Sequence, residues 1–406
     1  MTVSFSRTKI DYNKYLNYLI MVYAFILPLS RAGVVFLSGV LLIVWLLEGE
    51  FKRKYLLFSK SKIIIALGLF ILYNIISFLW SDNIVNAFEY VKKYWYFFPM
   101  LIIFTSIKKE LIDKTLSLFI LGMFISEIIA YGVFFELWEF KRATPQNPTP
   151  FMHHIEYSIF LAFTALILLG RIFREEAIKY KLIYGLFFMT ITGNLFLTAG
   201  RTGQLAFIVG LFILAMTSFK NKIKAFLIFT ILSIGLLGIA FTFSSTFHDR
   251  IMTAKNSLVN VVEQEDYCTS WGSRIGAWMV SQDIIRENPV VGIGIDDNMQ
   301  AFYRLIETKY PAMVCSGHTL VHMHNQYLQI LTQTGLIGLV LFLSIFYMLG
   351  KLELKEYEYR QMKYIYLSVT LFAFISEVLL HRQFGMALFA LIIGLLLAQN
   401  RVENEI

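Results

Sequence analysis

"IIIALGLFILYNIISFLW" (residues 63–80) runs for eighteen residues without one charged side chain. Wound as a helix at about 1.5 Å per residue, it reaches roughly the 30 Å of a bilayer's hydrocarbon core. Similar runs recur in both directions along the chain, among them "TLSLFILGMFISEIIAYGVFF" (115–135) and "AFLIFTILSIGLLGIAFTF" (225–243). With 57% hydrophobic and only 16% charged residues in 406, the composition agrees: this is an all-α polytopic membrane protein. About twelve transmembrane helices are expected, near 15–30, 32–48, 63–80, 95–107, 115–137, 155–170, 182–198, 204–219, 225–243, 325–350, 364–380 and 383–399. The opening "MTVSFSRTKIDYNKY" (1–15) has basic residues but no small-residue cleavage site, so the first helix is expected to be retained.

An even number of crossings puts both termini on one side. If that side is cytoplasmic, its short segments hold 23 Lys and Arg, from Arg7, Lys9 and Lys14 through the runs at 52–62, 108–114, 171–181, 220–224 and 351–363 to Arg401. The short loops opposite hold 7: Arg31, Lys92, Lys93, Lys141, Arg142, Arg201 and Arg382. The positive-inside rule therefore predicts cytoplasmic termini. The formal net charge of +8 reads as an orientation signal, and nucleic-acid binding has no support.

With this topology the chain divides into helices one to nine (1–243), a large outward loop domain (244–324) and helices ten to twelve (325–406). All seven histidines (His153, His154, His248, His318, His322, His324, His381) fall in expected outward loops or helix ends. Both cysteines lie in the outward segment. In an oxidising compartment such as a bacterial periplasm, Cys268 and Cys315 are compatible with a disulfide or with two unpaired structural thiols.

Three arginines have the character of anion binders. "LTAGRTGQ" (197–204) puts Arg201 between two glycines at the start of a span, where free N–H groups already favour negative charge. "WGSRIGAWMVSQDIIRENPVVGIG" (271–294) reads as a loop helix with Ser273 as its N-cap and Arg274 in its first turn, a position opposed to the helix dipole unless an anion is near. Arg31 in "LPLSRAG" (27–33) reads as an interfacial anchor or a further anion contact. "HMHNQYLQILTQTG" (322–335) sets His322, His324 and Asn325 on the lip of the tenth span, where a neutral imidazole could accept a proton from an attacking hydroxyl. His318, His322 and His324 also admit a zinc reading; no carboxylate or thiolate stands at a convincing ligand spacing, though Cys315 is close enough in sequence to keep that reading open. "NAFEYVKKYWYFF" (86–98) reads as an amphipathic interfacial helix.

"LTAGRTGQLAF" (197–207), "GSRIGAWMVSQDIIRENPVVGIG" (272–294) and "VHMHNQYLQILTQTGLIGLVLF" (321–342), in this order and topology, resemble the O-antigen ligase and polymerase superfamily, and most closely the O-antigen ligases. The resemblance implies a multi-pass protein of the bacterial inner membrane with a periplasm-facing active site. It implies transfer of a glycan from undecaprenyl pyrophosphate to a sugar hydroxyl of lipid A-core, with no metal, nucleotide or other cofactor. Carried over by matching residues, Arg201 and Arg274 would hold the pyrophosphate and His324 would be the base. Arg31, His322 and Asn325 remain possible accessories, and the roles of Lys92, Lys93, Arg142 and Arg382 stay open. Two other readings compete: a polymerase joining two lipid-linked glycans, and a secondary transporter with Glu127, Glu156 or Glu377 as ion sites.

Overall fold

The computed structural model describes residues 11–315 and 320–404. The expectations that touch Arg7, Lys9 and His318, together with the opening ten residues, fall outside it. The helices are α1 (Tyr12–Ile26), α2 (Arg31–Glu48), α3 (Phe51–Lys60), α4 (Lys62–Ile76), α5 (Ile84–Lys92) and α6 (Phe98–Ser106). Next come α7 (Lys109–Phe134), α8 (His154–Arg174), α9 (Ile178–Leu197), α10 (Arg201–Ser218) and α11 (Lys222–Phe243). The chain finishes with α12 (Ser245–Gln264), α13 (Gly272–Glu287), α14 (Asn298–Thr308), α15 (Gln326–Lys351), α16 (Tyr357–Ala373) and α17 (Gln383–Asn404).

Among the described residues, nine helices are long and apolar enough to cross a membrane: α2, α4 with its 3-10 extension to Leu79, α7 to α11, α15 and α17. The other three expected crossings meet shorter helices: α1 has 15 residues, α6 has 9 and α16 has 17. At 1.5 Å per residue, α1 rises roughly 22 Å. α16 also sits further toward the N-terminus than the expected 364–380. It opens after Glu356 and ends at Ala373, so Glu377 leaves the helix and enters a turn.

α8 and α17 are apolar on all sides and form the centre of the bundle; Met386 to Gln399 are buried without interruption. α17 packs on α6, and α10 packs on both α8 and α16. α11 lies outermost, with only Ala225, Ser233 and Ala240 buried and its isoleucines, leucines and phenylalanines open, as suits contact with lipid. Asn13 donates to the Ser106 carbonyl (3.1 Å) and Arg401 donates to the Thr105 carbonyl (2.6 Å), so the first and last described helices reach the same end of the bundle.

At the opposite end, here called the mouth, α13 and α14 enclose a second, smaller apolar core of Ala277, Val280, Ile284, Ala301, Phe302 and Met313. A broken helix ties it to the bundle. α15 is interrupted at Gly335, whose φ of 63° is left-handed, and the segment after α13 fills the break. The N–H groups of Ile293 and Gly294 donate to the carbonyls of Thr332 and Gln333 (3.1 and 3.0 Å), and those of Leu336 and Ile337 donate to Pro289 and Val290 (2.9 and 3.2 Å). The backbone groups freed by the break are therefore paired again, as burial requires. A Cβ on Gly335 would stand 2.3 Å from the Val290 carbonyl oxygen.

Candidate active site

Four segments meet at the mouth: the start of α10, the start of α13, the turn before α15 and the connection from α16 to α17. The glycines of "AGRTG" act in the first of these by close approach. A Cβ on Gly203 would stand 2.2 Å from the Ser158 carbonyl carbon, so α10 can press against α8 only because none is there. Gly203 N–H also donates to Ser158 Oγ (3.2 Å). This contact delivers Arg201, the first residue of α10, into the mouth. Next to it, the Thr202 hydroxyl meets that of Ser376 at 2.9 Å, tying α10 to the residue before Glu377.

Arg274 lies in the first turn of α13, as its sequence context suggests, but Ser273 is not the cap. The helix starts one residue earlier, at Gly272, and the Thr269 hydroxyl accepts the Gly272 N–H (3.0 Å); Ser273 is already helical and turns its own hydroxyl to the Ser270 carbonyl. Arg274 donates to Ser270 O (2.9 Å) and Oγ (3.1 Å), and Arg201 donates to the same Oγ at 3.4 Å. Both guanidinium carbons lie 5.9 Å from the Trp271 ring. A third cation, Arg250 of α12, is close enough for its charge to act on Arg201. Among the described residues none of these three arginines forms an ion pair. Arg201 Nη1 and Arg274 Nε are buried without any hydrogen-bond partner. Burial pushes the Arg274 guanidinium below its ordinary pKa, while the charge of Glu377 acts in the other direction. Two half-buried guanidinium forks thus share one aromatic platform with no ion-paired carboxylate on either, an arrangement chemically suited to an anion.

His324 adopts a left-handed backbone, φ 48°, at the residue before the cap of α15. The strain is held by its neighbours: Met323 N–H donates to Gln329 Oε1 (3.0 Å), and His324 N–H donates to His322 Nδ1 (3.2 Å). Asn325 is the N-cap, its Oδ1 accepting from Tyr327 and Leu328 N–H (2.9 and 3.1 Å). Gln326 then clamps the α16–α17 connection at both ends. Its N–H donates to Phe374 O (2.8 Å) and its Oε1 accepts from Leu380 N–H (2.9 Å).

Between those clamped points sits Glu377, whose side chain is 0% exposed. Its Oε1 accepts from Arg382 Nη2 (3.0 Å) and lies 3.1 Å from His322 Nε2. Because His322 Nδ1 accepts a backbone N–H, its ring proton belongs on Nε2, pointing at Glu377. Glu377 Oε2 is 3.6 Å from His324 Nδ1, beyond hydrogen-bond length, and both atoms are otherwise unpartnered. An approach of a few tenths of an ångström would join them and would leave Nε2 of His324 as the unprotonated nitrogen. Burial alone would raise the Glu377 carboxyl; the two histidines and Arg382 outweigh it and hold the group well below its ordinary range. Burial also pushes the His324 imidazole below 6.5, with Glu377 opposing.

His322, His324 and Glu377 could bring ligand atoms within 4.8 Å of one another around a metal ion. Arg382 already supplies the positive charge on Oε1, and a cation there would face that guanidinium, so the donor set does not favour a metal. Arg31 lies over the Phe384 ring at 5.7 Å. Of the basic residues left open by sequence, Lys92 pairs with Glu89 on an exposed helix face. Lys93 donates to His381 Nε2 (2.6 Å) under the Tyr90 ring, and Arg142 is exposed in the α7–α8 connection. Sequence reasoning missed Trp271, Arg250 and the carboxylate partner of the histidines. The last left a trace: "EVLLHRQ" (377–383) sets opposite charges five residues apart in a short link between two apolar helices.

Cys268 and Cys315 form a bridged pair, with Cα atoms 5.5 Å apart, closing the segment that contains α13 and α14.

An uncharacterized protein of Haemophilus influenzae is 24% identical to the chain over 223 residues, 52% of this chain and 55% of that protein. The chain thus spans about half the length of the curated relative it matches. Residues 185–343 match the family model described as O-Antigen ligase. That segment contributes Arg201, Arg274 and His324.

Proposed function

We propose that the protein is a metal-independent, inverting glycosyltransferase that moves a glycan from undecaprenyl pyrophosphate to a sugar hydroxyl of lipid A-core. The observation that carries this reading is the pairing of an unneutralised two-arginine fork with a histidine backed by a buried carboxylate. Arg201 and Arg274 grip the pyrophosphate oxygens. His324 Nε2 takes the proton from the acceptor hydroxyl while its oxygen attacks the anomeric carbon on the face away from the pyrophosphate. The bond from that carbon to the phosphate oxygen breaks, its electron pair leaving with the pyrophosphate, and the anomeric configuration inverts. The leaving group gains charge as it departs, so guanidinium groups arranged beforehand stabilise the transition state more than the bound donor. Glu377 holds His324 in one tautomer and stabilises the imidazolium that forms, while Arg382 and His322 keep Glu377 ionised. A site at the end of the bundle lets both lipid-anchored substrates react without leaving the bilayer.

The test is transfer by the purified protein from a lipid-pyrophosphate-linked radiolabelled glycan. Label on lipid A-core, with inverted anomeric linkage, is the expected product. Label appearing only in longer lipid-linked glycan would make the protein a polymerase, and no transfer at all would end the enzymatic reading.

A further inference from the structure

We infer that a cavity at the end of the bundle opposite the mouth binds an anionic phospholipid. The cavity measures about 620 Å³ and is built where α3, α4, α6, α15 and α17 converge. Its inner wall is apolar, with Ile63, Phe104, Met348 and Leu397. Its rim carries Lys60, Lys62, Lys351 and Arg401 against a single carboxylate, Glu353.

The convergence of these cations on one concavity separates a ligand site from a simple orientation signal. Arg401 is spent on the fold, donating to the carbonyls of Thr105 and Ile107. Some other basic residues at this end also have partners, Lys54 with Glu48 and Arg171 with Asp113 and Glu358, while Lys108 and Lys109 are exposed and, among the described residues, form no ion pair. Among the described residues Lys60, Lys62 and Lys351 form no ion pair. They are exposed, and they come from two chain regions about three hundred positions apart, yet they line one concavity. Positive-inside sorting asks only that lysines be at this end. It does not ask that they share a rim above an apolar wall. A ligand that satisfies both halves is anionic at one end and hydrocarbon at the other, and basic pockets between helices are suited to such headgroups. A lysine stem reaching from the bilayer edge brings its ammonium to the phosphate while its methylenes stay on apolar surface.

The experiment is native mass spectrometry of the purified full chain, released from mixed phosphatidylglycerol and phosphatidylcholine. Wild type is expected to retain phosphatidylglycerol preferentially. The K60Q/K62Q/K351Q variant should lose that preference by about tenfold or more, each lysine near an anionic headgroup being worth roughly 1 kcal/mol. Met348→Trp, which fills the cavity and keeps every charge, should lose retention too. The inference fails if wild type holds the two lipids equally, or if either variant keeps the wild-type preference. It fails as well if glycerol phosphate displaces the lipid as effectively as phosphatidylglycerol does, since that would make the site one for soluble anions. None of these readouts depends on glycan transfer.

Discussion

At the scale of the residue, the site depends on which atoms lack partners. His324 Nδ1 and Glu377 Oε2 face each other at 3.6 Å with nothing else to bond. His324→Ala is expected to leave an inserted protein whose transfer rate falls by about 10² to 10⁴; wild-type rates in the purified variant would remove His324 as base. Glu377→Gln is a sharper probe. Burial lowers the His324 pKa below 6.5 and Glu377 raises it, so the acid limb of the rate-pH profile should lie below pH 6.5 in wild type. In Glu377→Gln that limb should move lower still, with kcat reduced. An unmoved limb would assign Glu377 a purely structural role. Arg201→Lys and Arg274→Lys keep the charge but lose the planar fork, so activity should drop steeply in both while expression holds. If both lysine variants transfer at the wild-type rate, these arginines are anchors and the pyrophosphate is held elsewhere.

At the scale of the element, two close contacts aim the helices. α10 reaches the mouth because Gly203 lies flat against the backbone of α8 at Ser158. Gly203→Ala should therefore cost activity by displacing Arg201, since the Ser158 main chain it meets cannot rotate away; crosslinking or spin-label distances between α8 and α10 would register the separation. α15 begins at Asn325, whose side chain caps two N–H groups. Asn325→Ala should cost about 1 kcal/mol, read as a lower melting temperature. A variant with full stability would leave the cap without energetic weight.

At the scale of the whole molecule, the segment bridged between Cys268 and Cys315, 47 positions apart, carries α13 and α14 at the mouth. Reduction should destabilise the chain by about 2 to 4 kcal/mol; ready labelling of both thiols by a membrane-impermeant maleimide before reduction would contradict the bridge. Acid should act in the same direction. His153 and His324 have folded pKa values below 6.5, so the unfolded chain binds the extra protons and stability is lost as pH falls below about 6.5. Glu377, held below its ordinary 4.5, adds a loss at still lower pH, as its proton returns. Melting temperature should therefore be level near neutrality and fall from pH 6.5 downward, and a flat profile to pH 5 would count against buried neutral imidazoles.

Hydrocarbon thickness and helix rise are properties of local chain, so runs such as 63–80 and 225–243 were legible as helices from composition alone. The motifs "AGRTG" and "MHNQ" likewise marked Arg201 and His324 through neighbours one or two positions away. The end of α16 was not legible. Nothing near Ala373 marks a stop; Gln326, from another helix, bonds Phe374 and Leu380 and holds the turn that carries Glu377 out of the expected span. The pairing of His324 with Glu377, and the platform that Trp271 offers to Arg201, span 53 and 70 positions. Contacts of that range carry no sequence period. They exist because broken helices and glycine contacts bring distant segments to one mouth, where a buried charge must find its partner wherever the fold supplies it.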